Sequence, residues 1–77
     1  MKPISVDCII AVDGRVSVRR IEIDGQWRAV EQGRQWVDEA GRHVLVILPG
    51  QPVQEILFRP EQMNWILRVS GRVIQFI

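Results

Sequence analysis

The chain has no tyrosine, one cysteine, one histidine and one lysine among its 77 residues. A lone cysteine, Cys8, excludes an internal disulfide and a cysteine-based metal site, and it makes a reduced, cytoplasmic location the default expectation. The longest purely apolar run covers residues 44–48, far below the roughly 20 residues of a membrane span. Asp7 interrupts the apolar stretch near the amino terminus, so no signal peptide is expected. We therefore expect no membrane partner.

The chain also has almost no net charge. Ten basic residues face nine acidic ones, which gives +1 at pH 7. No strong field would steer such a protein to nucleic acid or to an anionic membrane. Nine of the ten basic residues are arginine, the cation better suited to paired and stacked positions, although a mixed-sign surface is normal for a soluble domain.

The aliphatic residues that are present are mostly β-branched. Valine and isoleucine supply 11 and 10 residues, against three alanines and four leucines. Stiff β-branched side chains favour the pleated surface of a sheet over a helix. With 47% hydrophobic residues, the composition predicts a single all-β domain over residues 1–77.

Turn signals recur every eight to ten residues, the spacing typical of a small sandwich or barrel. The six glycines are each followed by arginine or glutamine, as expected where a turn opens into a strand. We predict an antiparallel meander of seven or eight short strands, curled into a small, partly open barrel. Two orthogonally packed sheets are the alternative. A short helical turn is plausible only at residues 59–64.

Individual turns give more specific expectations. Asp13-Gly14 predicts a two-residue type I′ turn that pairs residue 9 with 18 and residue 7 with 20. The buried face then switches along this hairpin, which predicts a bulge near Arg19-Arg20. Asp24-Gly25 predicts a second hairpin, and the sequence from Leu48 to Gln51 matches a type II turn.

Two further patterns concern the tryptophans and the core. One extra residue at Gly33 would bring Trp27 and Trp36 to the same face of the sheet. Residues 44–48 indicate a central strand covered on both faces. Ser70-Gly71 predicts a last hairpin, in which four residues stack as a buried cross-strand ladder: Trp65, Leu67, Ile74 and Phe76.

Few residues are suited to catalysis. We expect His43, which follows a turn, to be a half-exposed residue at a strand end, and Cys8 to be a small buried hydrophobe rather than a nucleophile activated by His43. Asp38 and Glu39 could hold a divalent ion with His43, but a turn explains Asp38 already. No phosphate-binding loop, dinucleotide fingerprint or zinc-ligand spacing occurs. We therefore expect no enzyme, no catalytic residue, no metal and no cofactor.

Three segments resemble a class of small uncharacterised bacterial β proteins. They are Gly-Gln-Trp-Arg-Ala-Val-Glu at 25–31, Arg-Gln-Trp at 34–36 and Trp-Ile-Leu at 65–67. In that class a glycine-led strand, a middle tryptophan and a late W-x-L recur in this order, and the resemblance covers residues 15–69. Some of those proteins are encoded near DNA-repair polymerase genes, which implies a nucleic-acid setting. The class implies no activity and no site residues.

Arginines near tryptophans make nucleic-acid binding one functional hypothesis. Small open barrels bind single strands by stacking bases on aromatic side chains beside a basic groove. The candidate residues are Arg19, Arg20, Arg28 and Arg68. The low net charge weighs against this hypothesis, and so does the contribution that buried tryptophans make to so small a core.

The favoured hypothesis is a non-catalytic protein-interaction or self-assembling module. Apolar strands in excess of what one small core needs, chiefly residues 44–48 and 73–77, suggest pairing with another chain. A homodimer joined through an edge strand or a sheet face would cover them. The interface candidates are Val73, Gln75 and Ile77.

Overall fold

The structure is a computed structural model that describes residues 2–68. Seven strands form in chain order: β1 (Lys2–Ile10), β2 (Val16–Ile23), β3 (Gln26–Ala29), β4 (Glu31–Asp38), β5 (Gly41–Ile47), β6 (Gln54–Arg59) and β7 (Asn64–Arg68). These residues contain no helix, and hence none with the length and apolar character needed to cross a membrane.

All seven strands belong to one antiparallel sheet with the order β3-β2-β1-β7-β6-β5-β4. The sheet curls through 222° into an open half-barrel. The predicted small, partly open barrel is thus confirmed, rather than two orthogonal sheets. Strands β3 and β4 follow one another in the chain but lie at opposite ends of the sheet, so curling brings the two ends towards each other.

The core fills the concave face of the half-barrel. Every second residue of β5 points there, as the period of a strand requires, and β2 does the same on either side of its bulge. Burial is complete or nearly so at Val16, Val18, Ile21, Val44, Val46, Leu48, Ile56, Trp65 and Leu67. The predicted burial of Trp65 and Leu67 is therefore confirmed. Strand β5 is also confirmed as an internal strand, since β4 and β6 flank it.

Three turns follow their sequence signals. Asp24 and Gly25, with φ of 53° and 81°, form the predicted two-residue loop between β2 and β3. The turn after β5 is closed by a hydrogen bond that Gln51 N donates to the Leu48 carbonyl, 3.0 Å away. Residues 60–63 make a single turn, in which Met63 N donates to the Arg59 carbonyl at 2.8 Å.

The first hairpin turn differs from its prediction. Ala11 N donates to the Arg15 carbonyl and Gly14 N donates to the Ala11 carbonyl, both at 2.8 Å, so the loop has three residues instead of two. Gly14 takes the positive φ, 91°, that the third residue of such a loop requires. Asp-Gly suits both loop lengths, and for this reason the predicted two-residue turn was wrong.

The longer loop changes the pairing near the turn. Val18 lies opposite Cys8, whereas the pattern predicted Ile9. Asp7 lies opposite Arg20 as predicted, and Arg19 is left as the extra residue of the predicted bulge.

In the predicted ladder Trp65 pairs with Phe76, and this pairing is wrong. Trp65 lies between Phe58 of β6 and Ile4 of β1, so both of its neighbouring positions in the sheet are filled. Residues 69–77 lie outside the described part of the chain.

Two glutamines close the half-barrel between β4 and β2. The side-chain oxygen of Gln32 accepts from Val18 N at 2.7 Å, and that of Gln35 accepts from Val16 N at 3.1 Å. Both side-chain nitrogens donate to the Val16 carbonyl, at 3.0 and 2.8 Å. A primary amide carries the donor and acceptor of a peptide group, so these side chains replace a strand partner for β2. We call this contact the glutamine seam.

A bulge in β4 makes the glutamine seam possible. Gln32 lies opposite Val46 and Gln35 opposite Val44, so three steps along β4 match two along β5. The extra residue, predicted at Gly33, is confirmed. It places both glutamines on the concave face, because Val44 and Val46 point there.

Candidate functional site

The end of the β1–β2 hairpin is an exposed apolar surface. Ile9, Ile10 and Val12 are 56%, 60% and 106% exposed. Strand β1 pairs with β7 only over Lys2 to Ile4, whereas its pairing with β2 continues to Ile10. Within residues 2–68, the second half of β1 therefore has no strand on its β7 side. We call this half, residues 6–10, the free β1 edge.

Charges that usually protect an edge strand are few along the free β1 edge. Its one charged residue is Asp7, which accepts a hydrogen bond from Arg20 Nε at 3.0 Å. Natural proteins protect exposed edges with lysines, prolines or inward charges. By contrast, the edge strand β4 carries Glu31, Arg34 and Asp38. The free β1 edge is thus the apolar, less protected edge.

A buried histidine lies on the convex face of the sheet, clamped by carboxylates from two neighbouring strands. His43 Nδ1 lies 2.5 Å from Glu55 Oε2, and Nε2 lies 2.8 Å from Asp38 Oδ1. The Trp36 ring stacks on the imidazole with centroids 4.9 Å apart and an interplanar angle of 3°. Arg68 donates to the same Glu55 oxygen at 3.3 Å.

The predicted half-exposed His43 is wrong, since only 4% of the residue is exposed. The Trp36 ring and the two carboxylates cover it. Burial alone lowers the pKa of His43, but the hydrogen bonds to Glu55 and Asp38 outweigh it and raise that pKa. The bond from His43 in turn lowers the pKa of Asp38. A carboxylate accepts at each ring nitrogen, so the two contacts favour the doubly protonated imidazolium form.

This arrangement leaves His43 without a ring nitrogen for other chemistry. A metal ligand or a general base needs an accessible unprotonated nitrogen, and each ring nitrogen of His43 already lies within hydrogen-bond distance of a carboxylate. In the part of the chain that the structure describes, no group of three or more histidine, cysteine or acidic side chains is placed to hold a metal ion. Cys8 is half-buried against the core, and burial, with a smaller contribution from Asp7, raises the pKa of its thiol.

Two tryptophans carry stacked arginines. The Arg20 guanidinium lies 5.1 Å from the centroid of Trp27, which is 45% exposed. Arg34 lies 5.2 Å from the centroid of Trp36, whose ring is half-buried by its stack on His43. Trp27 pairs with Glu22 and Trp36 with His43, so both project from the convex face, as predicted.

The four arginines proposed for nucleic acid do not form one patch. Arg20 stacks on Trp27, and Arg19 is the exposed bulge residue beside it in β2. Arg28 lies opposite the buried Ile21 and therefore points to the concave side. Arg68 is bonded to Glu55 in the His43 cluster. The proposed interface residues Val73, Gln75 and Ile77 lie outside the described residues.

Sequence reasoning missed the free β1 edge and the His43 clamp. The signal for the first was the pair Ile9-Ile10 directly before a turn: adjacent strand residues point to opposite faces, so one core cannot bury both. Of the clamp, the sequence placed only Asp38 near His43; Glu55 gave no local signal, because it lies 12 residues away on another strand.

No protein-family model, curated protein or solved structure matches this chain.

Proposed function

We propose that this protein is a non-catalytic interaction module that forms a homodimer through the free β1 edge. The single observation that carries the proposal is the exposure of Ile9 and Ile10 on the half of β1 that has no second strand partner within residues 2–68. Exposed apolar edge strands of soluble proteins are usually paired or covered.

A second copy of the chain is the occupant that fits this edge. Two β1 strands related by a twofold axis near Cys8 would pair antiparallel and extend the sheet across both copies. The one charge on the edge, Asp7, is compensated by Arg20 within its own chain, so self-pairing brings no unpaired like charges together. The pairing would bury Ile9 and Ile10 of both copies.

Charging the edge should convert the dimer to a monomer. Ile10→Lys places an ammonium group in the proposed interface, where its burial is costly. Val37→Lys is the matched control, because Val37 is also 60% exposed and β-branched but lies on β4. Both substitutions are at exposed positions, so each should change the free energy of unfolding by only about 0.5 kcal/mol.

Light scattering after size exclusion reads out the result. We expect a dimer for the wild type and for Val37→Lys, and a folded monomer for Ile10→Lys. A wild-type monomer at about 100 μM, a concentration corresponding to about 5.5 kcal/mol of association free energy, would overturn the proposal. Equal dissociation by both lysine variants would also contradict it.

Single-strand nucleic-acid binding is the second candidate function. The Arg20–Trp27 pair supports it, because an exposed indole beside a guanidinium offers a base a stacking surface and a phosphate a cation. The resemblance of residues 15–69 to proteins encoded near DNA-repair polymerase genes points in the same direction.

This second candidate makes its own prediction. A single-stranded oligonucleotide of about 12 nucleotides should quench tryptophan fluorescence, and Trp27→Ala should cost about 1–3 kcal/mol of binding free energy. Affinity should fall with added salt. Arg20→Gln should weaken binding more than Arg15→Gln, since Arg15 is an exposed arginine directly after the first hairpin loop. Equal effects of these two substitutions would indicate non-specific charge attraction instead.

A further inference from the structure

The polar residues on the concave face divide into two groups. Concave positions in the middle of the sheet form the core, where a polar side chain needs a partner, whereas the concave positions of β3 and at the start of β1 are exposed. Gln32, Gln35 and Arg42 have theirs, since the glutamines bond β2 and Arg42 donates to Gln35 at 2.6 Å. Lys2, opposite Leu67, is bonded to Asp24 at 2.6 Å.

Three other polar residues project from the concave face without such a partner. Gln26 and Arg28 of β3 lie opposite Ile23 and Ile21, and Gln54 of β6 lies opposite the buried Val46. Within residues 2–68, none of the three side chains makes a hydrogen bond or an ion pair with the protein; Gln26 and Arg28 are exposed to solvent, and Gln54 is half-buried. Together they break the apolar pattern of this face at one end of the half-barrel.

These residues border a single cavity, which we call the mouth cavity. Its volume is about 230 Å³, and its remaining walls include Ile23, Leu48 and Leu67. Asp24 is the one carboxylate along its wall, and Lys2 neutralises it. The mouth cavity thus combines an apolar floor, primary amides and one uncompensated guanidinium.

We propose that the mouth cavity binds a small carboxylate with a short apolar body. The planar fork of Arg28 matches a carboxylate in a bidentate geometry, and the amides of Gln26 and Gln54 can donate further hydrogen bonds to it. Leu48 and Leu67 then contact the apolar body. The cavity is smaller than the roughly 300–1,000 Å³ of drug-sized sites, so the ligand is a small molecule. This site is independent of the free β1 edge.

The test compares hexanoate with hexanol, two probes that share a chain and differ in charge. We record proton–nitrogen NMR spectra of the full chain at probe concentrations up to about 10 mM, which covers millimolar dissociation constants. Hexanoate should shift the side-chain amide signals of Gln26 and Gln54 in a saturable way. Hexanol should shift them at least tenfold more weakly.

Two arginine substitutions locate the charge effect. Arg28→Gln should weaken hexanoate binding about tenfold or more, whereas Arg15→Gln, at the hairpin end of the molecule, should leave it unchanged. Matching thermal melts of both variants establish that the fold is intact. Absent shifts with hexanoate, equal binding of hexanol, or equal losses in the two variants would each overturn the proposal.

Discussion

At the scale of single residues, His43 is the side chain whose environment departs most from its ordinary one. A buried cation is stable only when it is paired and hydrogen-bonded. His43 meets this condition with two carboxylates, which join β4 and β6 across β5. The imidazolium therefore links three neighbouring strands on the convex face.

The raised pKa of His43 predicts how stability depends on pH. A raised folded-state pKa means that His43 contributes fully below its unfolded value of about 6.5, and that this contribution is lost as pH rises through the folded value. The pKa of Asp38 is lowered, so the Asp38 contribution is present above about 3.8 and is lost as pH falls through its folded value. We expect maximal stability between these two limits.

Urea denaturation of the wild type and of His43→Gln over a pH series measures how the contribution of His43 to stability depends on pH. The difference in their free energies of unfolding should shrink above about pH 6.5, by about 1.4 kcal/mol for each unit by which the pKa is raised. An NMR titration of the imidazole should give a midpoint above 6.5. A midpoint at or below that value would show that burial outweighs the two carboxylates.

The alternation of strand residues indicated that His43 and Val44 face opposite sides of β5. The apolar run at residues 44–48 predicted a strand covered on both faces, but it did not indicate that His43 is covered as well. Leu57 and Ile66, which continue the same row of the sheet as His43, are 4% and 2% exposed. These residues are buried by cross-strand neighbours from β5, β6 and β7. The alternation of side chains along one strand gives no information about such neighbours.

At the scale of elements, the glutamine seam replaces a strand pair. Strand β3 is only four residues long and covers β2 from Arg20 to Ile23. The backbone of β2 at Val16 and Val18 would otherwise lack partners on that side. Because β4 reaches it with two amide side chains, the half-barrel is closed at this end without a continuous ladder.

Removing one amide should therefore destabilise the fold. Gln32→Met keeps the length of the side chain but leaves Val18 N, on a buried residue, without its acceptor. An unsatisfied buried donor costs about 1–3 kcal/mol. Gln62→Met, in the exposed turn after β6, is the matched control and should change the free energy of unfolding by about 0.5 kcal/mol or less.

Chemical denaturation of both variants gives the comparison. Equal stability of Gln32→Met and Gln62→Met would mean that water accepts the hydrogen bond of Val18 N as well as the amide does. The glutamine seam would then not contribute to stability.

Local sequence signals predicted the turns at Asp24-Gly25 and Pro49-Gly50 and the two bulges, because each depends on residues close in the chain. The Asp13-Gly14 loop shows the limit of such signals, since the same dipeptide suits loops of two and three residues. The glutamine seam was not predictable either. Its contacts join residues 14 to 19 positions apart, and they form only once the sheet has curled.

At the scale of the whole molecule, one long-range pairing determines the topology. Strand β1 lies beside β7, which places the first and last described strands in the middle of the sheet. The expectation that each strand pairs with the next along the chain holds for five consecutive pairs and fails for β3 and β4, so β1 and β7 join the two halves of the sheet. It assigned the neighbour position of Trp65 to Phe76, whereas Ile4 occupies it.

The same pairing explains where the molecule exposes apolar surface. Strand β7 begins at Asn64, and β1 continues past it to Ile10 as a longer strand. The mismatch in length leaves the free β1 edge uncovered within residues 2–68. The proposed dimer uses this mismatch, so its interface should be confined to the second half of β1.

Amide hydrogen exchange tests most directly whether the dimer interface lies on the second half of β1. We would measure exchange across the chain at two concentrations, one that favours the dimer and one that favours the monomer. Those amides of residues 6–10 that point away from β2 should be protected at high concentration and exchange faster on dilution, while those of β5 stay unchanged. Ile10→Lys should show the diluted pattern at both concentrations. Exchange of residues 6–10 that is independent of concentration would contradict the account.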